Sequence, residues 1–138
     1  MRSATSPLPI MAEAVMDASA MVDLLLHSDL GIAVQHRISG HVLHAPAHAD
    51  AEVLSALGRL QRAGTVAAES VDVMLSRLEA APIARHPVSG LLRGAWGRRH
   101  QLRLADALYV ELATTLEVPL ITTDRRLRSV PVADVVVG

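Results

Sequence analysis

The chain switches repeatedly between two hydrophobic periods, and that alternation limits its fold more than any other feature. Short apolar or β-branched runs stand at "EAVMD" (13–17), "GHVLHAP" (40–46), "VPLITTD" (118–124) and "VADVVVG" (132–138). Between them, apolar residues recur at the three-to-four spacing of a helix with one buried face. From Ala18 to about Leu30 that stripe is Met21, Leu24 and Leu25, widened by Val22 and Leu26. In "HADAEVLSALGRLQRAG" (48–64) it is Val53, Leu57 and Leu60, closed by Gly64. A further helix in "AAESVDVMLSRLEAAP" starts near Ser70 and must end before Pro82, because proline disfavours helical geometry in the residue ahead of it. "PIARHPV" reads as a weak strand or a linker, and "SGLLRGAWGRRHQLR" as a glycine-punctuated helical segment with a basic end. "LADALYVELATTLEV" is the most regular helix, with Leu108, Leu112 and Leu116 on one stripe. Strands alternating with helices predict an α/β fold, a three-layer α/β/α sandwich around a mainly parallel sheet. Residues 1–12, rich in Ser, Thr and Pro, are expected to form a disordered extension, with Met11 an alternative start, and residues 13–138 the single domain.

Composition narrows the chemistry. The 138 residues include no Cys and no Phe, with Trp96 and Tyr109 the only large aromatics, so the core must be aliphatic. Without Cys there are no disulfides, thiolate metal sites or thiol nucleophiles. All 13 basic residues are Arg. The absence of Lys excludes a P-loop, a Schiff-base enzyme and a receiver-type phosphoacceptor. The formal charge of −1 gives no global attraction to polyanions, so any such contact must be local. The positive mean hydropathy of +0.33 implies apolar surface reserved for a second copy or another partner. No run approaches a membrane span, and the Pro-interrupted start is unlike a signal peptide, which makes the cytoplasm the expected location.

Two carboxylates stand where strands end, Asp17 after "AVM" and Asp124 after "PLITT". In parallel sheets, sites form beyond the carboxyl ends of the strands. Asp106 lies in the first turn of the "LADALYVELA" helix, and Glu52 sits in an otherwise apolar stretch with Ser55 and Ala56, not a base, at i+3 and i+4. Taken singly, Asp17 and Asp124 read equally well as helix N-caps, Asp106 as a helix-dipole residue and Glu52 as a solvated acid. Taken together, four acids in one cleft would repel unless a cation neutralised them. An all-oxygen set suits Mg²⁺ or Mn²⁺, the ions of water-driven phosphodiester cleavage.

"MDASAMVDLL", "DAEVLSAL", "LADALYVELA" and "PLITTDRRL" resemble, in order and spacing, the four motifs of PIN-domain ribonucleases, and most closely those of VapC-like toxins of bacterial toxin–antitoxin pairs. The resemblance covers about residues 14–137. It implies that Asp17, Glu52, Asp106 and Asp124 bind Mg²⁺ or Mn²⁺, and that Ser19 and Thr122 are supporting hydroxyls. Strand alternation puts Thr122 on the face of Asp124, where its hydroxyl would support that carboxylate, and turns Thr123 away. The implied activity is endoribonucleolytic, carried out by a homodimer and neutralised by a VapB-like antitoxin. An inactive binding scaffold and a DNA-directed nuclease of the same architecture are the competing readings.

Arg98, Arg99, Arg103 and Arg125, with Arg126 and Arg128, flank Asp106 and Asp124; they read either as RNA phosphate contacts or as a solvated face. Trp96 reads as core or dimer interface. His41, His44 and His48 suggest zinc only weakly, since Pro46 breaks any helix that would align them. Asp50, two residues from Glu52, points to another side of the helix.

Overall fold

In the computed structural model, which describes residues 11–138, five strands form one wholly parallel sheet. They are β1 (Ala12–Met16), β2 (His41–Pro46), β3 (Ile83–His86), β4 (Leu120–Thr122) and β5 (Ala133–Val135), in the order β3-β2-β1-β4-β5. Six helices surround them: α1 (Ala18–Leu26), α2 (Asp29–Ile38), α3 (Ala49–Arg62), α4 (Ala68–Ala80), α5 (Leu92–Gly97) and α6 (Leu104–Leu116). This is the expected three-layer sandwich. Residues 1–10 of the expected extension lie outside the described residues, and Ala12 belongs to β1, where it pairs with His41, one position before the expected domain start. Among the described residues no helix is long and apolar enough to cross a membrane.

The central strand β1 explains why the sheet is parallel. Ala14, Val15 and Met16 are all buried, so both faces of the strand are covered and its sequence shows a continuous apolar run in place of alternation. Met16 faces a layer in which Leu24 of α1, Ile38 of α2 and Leu78 of α4 meet Ile83 of β3. Val15 points to the opposite face, where α6 packs against β1 and β2. β1 is hydrogen-bonded on one side to β2 and on the other to β4, so the chain order reverses between β1 and β4. That reversal opens a crevice at the carboxyl ends of these two strands. "PIARHPV" is a strand at the sheet edge, anchored by Arg85, whose Nε donates to Asp50 Oδ2 at 2.7 Å. Asp50 thus ties α3 to β3 and takes no part in the crevice.

The expected helix from Ala18 to about Leu30 is two helices. His27 takes a left-handed conformation (φ 54°), closing α1 through its N–H to Leu24 O, and Ser28 starts α2 by accepting from Gly31 N at 3.0 Å. Leu26 and Leu30 keep helical spacing across the polar His27–Ser28–Asp29 interruption, which hides the break from a periodicity reading. The two helices approach so closely that a Cβ at Gly31 would lie 1.9 Å from the Asp23 carbonyl oxygen. Gly31→Ala should therefore destabilise the fold by about 2 kcal/mol or more, on the scale of an overpacked core. Urea unfolding checks this; a midpoint equal to that of the parent chain would mean that α1 and α2 separate freely.

Candidate active site

The crevice is a cavity of about 330 Å³, and Asp17, Glu52, Asp106 and Asp124 all line it. They arrive from four different elements. Asp17 follows β1, Glu52 sits in the first turn of α3, Asp106 in the first turn of α6, and Asp124 follows β4. Helix N-termini favour anions, so α3 and α6 each present a carboxylate where the peptide dipoles stabilise it.

Asp17 is the most constrained of the four, being only 5% exposed. Its Oδ1 accepts from Ser19 Oγ at 2.7 Å and from Ala20 N at 3.0 Å, and its Oδ2 accepts from Thr122 Oγ1 at 2.6 Å. The N-cap reading and the functional reading of Asp17 are therefore both correct: it caps α1 and also lines the cavity. Burial, offset in part by these hydrogen bonds and reinforced by the charge of Asp106, raises its carboxyl from the ordinary 3.8 to about 6. Ser19 and Thr122 hold Asp17 as a pair. Each donates to the carboxylate and each accepts a backbone N–H of the strand end, Thr123 N on Ser19 at 3.2 Å and Asp124 N on Thr122 at 3.0 Å.

The hydroxyl of Thr122 thus supports a different carboxylate from the one expected. It reaches Asp17 because the register of β1 against β4 puts Val15 opposite Leu120, leaving Asp17 and Thr122 on a common face. β4 ends at Thr122, so strand alternation does not extend to Asp124. Thr123 does turn elsewhere, donating to Asp23 Oδ2 on α1 at 2.7 Å.

Asp124 caps the 3₁₀ turn that follows it, accepting from Arg126 N at 3.0 Å. Arg126 also wraps its guanidinium around both oxygens, with Nε at 3.0 and 3.1 Å and an NH2 contact of 2.6 Å. That pairing holds the Asp124 carboxyl below its usual range. Glu52 accepts from the buried Tyr109 hydroxyl at 2.5 Å, and His48, one turn earlier on α3, brings Nε2 to 3.5 Å. His48 Nε2 also lies 3.1 Å from the Ala105 carbonyl, an acceptor to which it can only donate. Burial and the Glu52 hydrogen bond push the Tyr109 phenol far upward, so it stays a neutral donor. Asp106 has Arg103 Nε at 3.5 Å.

Sequence reasoning overlooked the supports of Glu52. Tyr109 stands three residues after Asp106, on the same side of α6, and His48 four residues before Glu52; both spacings were available as signals. Arg59 of α3 also lines the cavity and was not anticipated. Of the proposed phosphate contacts, Arg103 reaches Asp106, whereas Arg98 points to Glu111 at 3.6 Å and Arg99 stacks 4.8 Å above Trp96. Arg125 is exposed on the turn after Asp124. Trp96 is 58% exposed and belongs to the surface. The three histidines are dispersed: His41 lies against Ser39 O, His44 links His86 and Glu13, and His48 serves Glu52.

The donor chemistry fits a hard divalent cation. Five carboxylates line one cavity, the four expected acids and Asp23 of α1, which accepts from Thr123 and Ser28, and the innermost, Asp17, is strained toward protonation by burial and by its acidic neighbour. Among the described residues no three acidic or imidazole side chains converge as a ready-made ligand set; Asp124 is turned onto Arg126 and Glu52 onto Tyr109.

A parallel sheet in this order, with acids from four elements at its switch point, is the architecture of a PIN domain. The description of that domain matches residues 14–133, and the chain belongs to the PIN-domain family. Its relatives lie among the VapC-like toxins. It is 56% identical to Ribonuclease VapC3 of Mycobacterium tuberculosis over 88% of this chain and 90% of that protein. It is 38% identical to Ribonuclease VapC12 of the same organism, covering 82% and 88%. Among solved structures it is similar to PAE2754 from Pyrobaculum aerophilum, with 29% identity, a TM-score of 0.65, and coverage of 90% and 84%.

Raising the Asp17 carboxyl has a defined consequence for stability. The folded chain holds this proton more tightly than the unfolded chain, so between the ordinary value of 3.8 and about 6 the contribution of Asp17 to stability falls as pH rises. Asp17→Asn removes that titration. Without added metal, its stability relative to the parent should increase by up to about 3 kcal/mol from pH 4 to pH 8, measured by denaturant titration at each pH. A pH-independent difference would mean that Asp17 is no more strained than a surface acid.

Proposed function

We propose that this chain is an endoribonuclease, hydrolysing RNA phosphodiester bonds at the cavity bounded by Asp17, Glu52, Asp106 and Asp124 with Mg²⁺ or Mn²⁺ bound there. The observation that carries this reading is that those four carboxylates all line one cavity at the switch point of the sheet. The names of the VapC ribonucleases it resembles support RNA as the substrate. When bound, the cation supplies a water of lowered pKa and a counter-charge for the phosphate.

The protein's own part is positioning. Three hydrogen bonds fix Asp17, leaving its carboxylate little rotational freedom. Tyr109 of α6 orients Glu52 through its hydroxyl, and the first turn of the same helix delivers Asp106 to the cavity. Arg59 and Arg126, which line the same cavity, offer guanidinium groups to the RNA backbone.

A VapB-like antitoxin and a second copy of the chain are the proposed protein partners. Leu92 and Trp96 on α5 and Leu104 at the start of α6 are about half exposed or more (47–58%), which is apolar surface of the kind such contacts cover.

The test is cleavage of a mixed cellular RNA pool by the purified chain with Mn²⁺ or Mg²⁺, beside EDTA, Asp106→Ala and a single-stranded DNA of matched sequence. Fragments should appear only from RNA, and both EDTA and the substitution should lower the rate at least 100-fold, on the order expected when a group stabilising the transition state is removed. Asp106→Ala should remain folded, since its side chain makes only the 3.5 Å contact with Arg103. Cleavage that survives EDTA and Asp106→Ala would overturn this reading, and equal cleavage of DNA would reassign the substrate.

A further inference from the structure

Arg126 occupies an unusual position for a surface arginine. Its side chain is 64% exposed, yet its guanidinium engages both oxygens of Asp124, whose own side chain is only 18% exposed. The backbone N–H of the same residue adds a further contact to Oδ1. Asp124 therefore has both oxygens committed, and its carboxylate faces a fixed positive charge. A small divalent cation needs a carboxylate oxygen at about 2.0–2.1 Å, in the lone-pair directions that a guanidinium fork otherwise fills. A cation and the guanidinium repel each other and draw on the same lone pairs, so they compete for Asp124, and of the two groups that make this ion pair the exposed arginine is the movable one.

Arg59 provides an internal comparison. It lines the same cavity from α3, but it makes no ion pair with any of the four acids among the described contacts. Both guanidinium groups border the same acidic cavity, and only one of them is held by an acid.

We propose that Arg126 is a two-position residue: it neutralises Asp124 in the metal-free chain, is displaced when a divalent cation takes that carboxylate, and then grips a phosphate of the RNA. The inference rests on the metal-dependent reading above and adds an order of events to it. Displacement turns a guanidinium that was internally satisfied into a free fork matched to phosphate oxygens. Cation binding and RNA binding are then coupled through one side chain, because the cation releases the arginine that the backbone requires.

Two measurements on the full chain test this. In the first, Mn²⁺ binding is followed by electron paramagnetic resonance, without RNA, for the parent, Arg126→Gln and Arg59→Gln. Arg126→Gln should bind Mn²⁺ about threefold more tightly, the scale of one exposed ion pair, while Arg59→Gln should match the parent. In the second, fluorescence anisotropy reports binding of a labelled single-stranded RNA, either in EDTA or with Ca²⁺ as an oxygen-seeking cation. Arg126→Gln should weaken RNA binding with Ca²⁺ and lower the salt slope by about 0.7, the loss of one phosphate contact, with no change in EDTA. Arg59→Gln should weaken binding under both conditions. Equal Mn²⁺ affinity in all three chains, or an RNA defect of Arg126→Gln that is the same with and without Ca²⁺, overturns the exchange and leaves the nuclease reading intact. Failure of every chain to bind Mn²⁺ overturns the metal-dependent reading itself, and the exchange with it.

Discussion

A single buried carboxylate organises this protein. Asp17 ends the central strand, starts α1 and binds Thr122 of the neighbouring strand, so one side chain joins three elements. Burying an acid is costly unless its oxygens are satisfied, and here Ser19, Thr122 and the Ala20 N–H provide that satisfaction. The compensation is incomplete, which is why the carboxyl remains raised. A protein selected for stability alone would do better with an amide or an apolar residue at such a place. The persistent strain is of the kind that a cation would relieve.

The remaining acids depend on the same geometry. Because β1 and β4 are neighbours while β2 lies on the far side of β1, the chain order reverses there and leaves a crevice at the strand ends. The first turns of α3 and α6 and the strand ends at Asp17 and Asp124 all open into it. Each acid has its own partner: hydroxyls for Asp17, a phenol for Glu52, and arginines for Asp106 and Asp124. The partners differ in permanence. Tyr109 is buried and fixed, whereas Arg103 and Arg126 are exposed and can move. The cavity therefore combines rigid walls with replaceable counter-charges.

The absence of Lys and Cys gives this arrangement its chemical character. With only arginine as the permanent cation, the cavity's guanidinium charges never titrate in the working range, whereas its carboxylates can respond to pH or metal. The aliphatic core has a related effect. With Phe absent, Tyr109 is the single large aromatic in the interior, and its position beneath Glu52 joins core packing to site geometry in one residue.

The layer architecture was legible in the order of residues, since the alternation of buried strands with amphipathic helices admits few other folds. The sequence also singled out the four acids, because strand ends and first helical turns are places where a local pattern reveals position, while the hydroxyls of Ser19 and Thr122 entered only through the family resemblance. It did not locate the break at His27, because Leu26 and Leu30 keep helical spacing across the polar His27–Ser28–Asp29 interruption. Nor could it pair Thr122 with Asp17 across 105 positions, Tyr109 with Glu52 across 57, or set Arg59 on the cavity wall. Those relations follow from strand register and helix docking, which depend on the packing of the whole chain, and only the tertiary structure decides them.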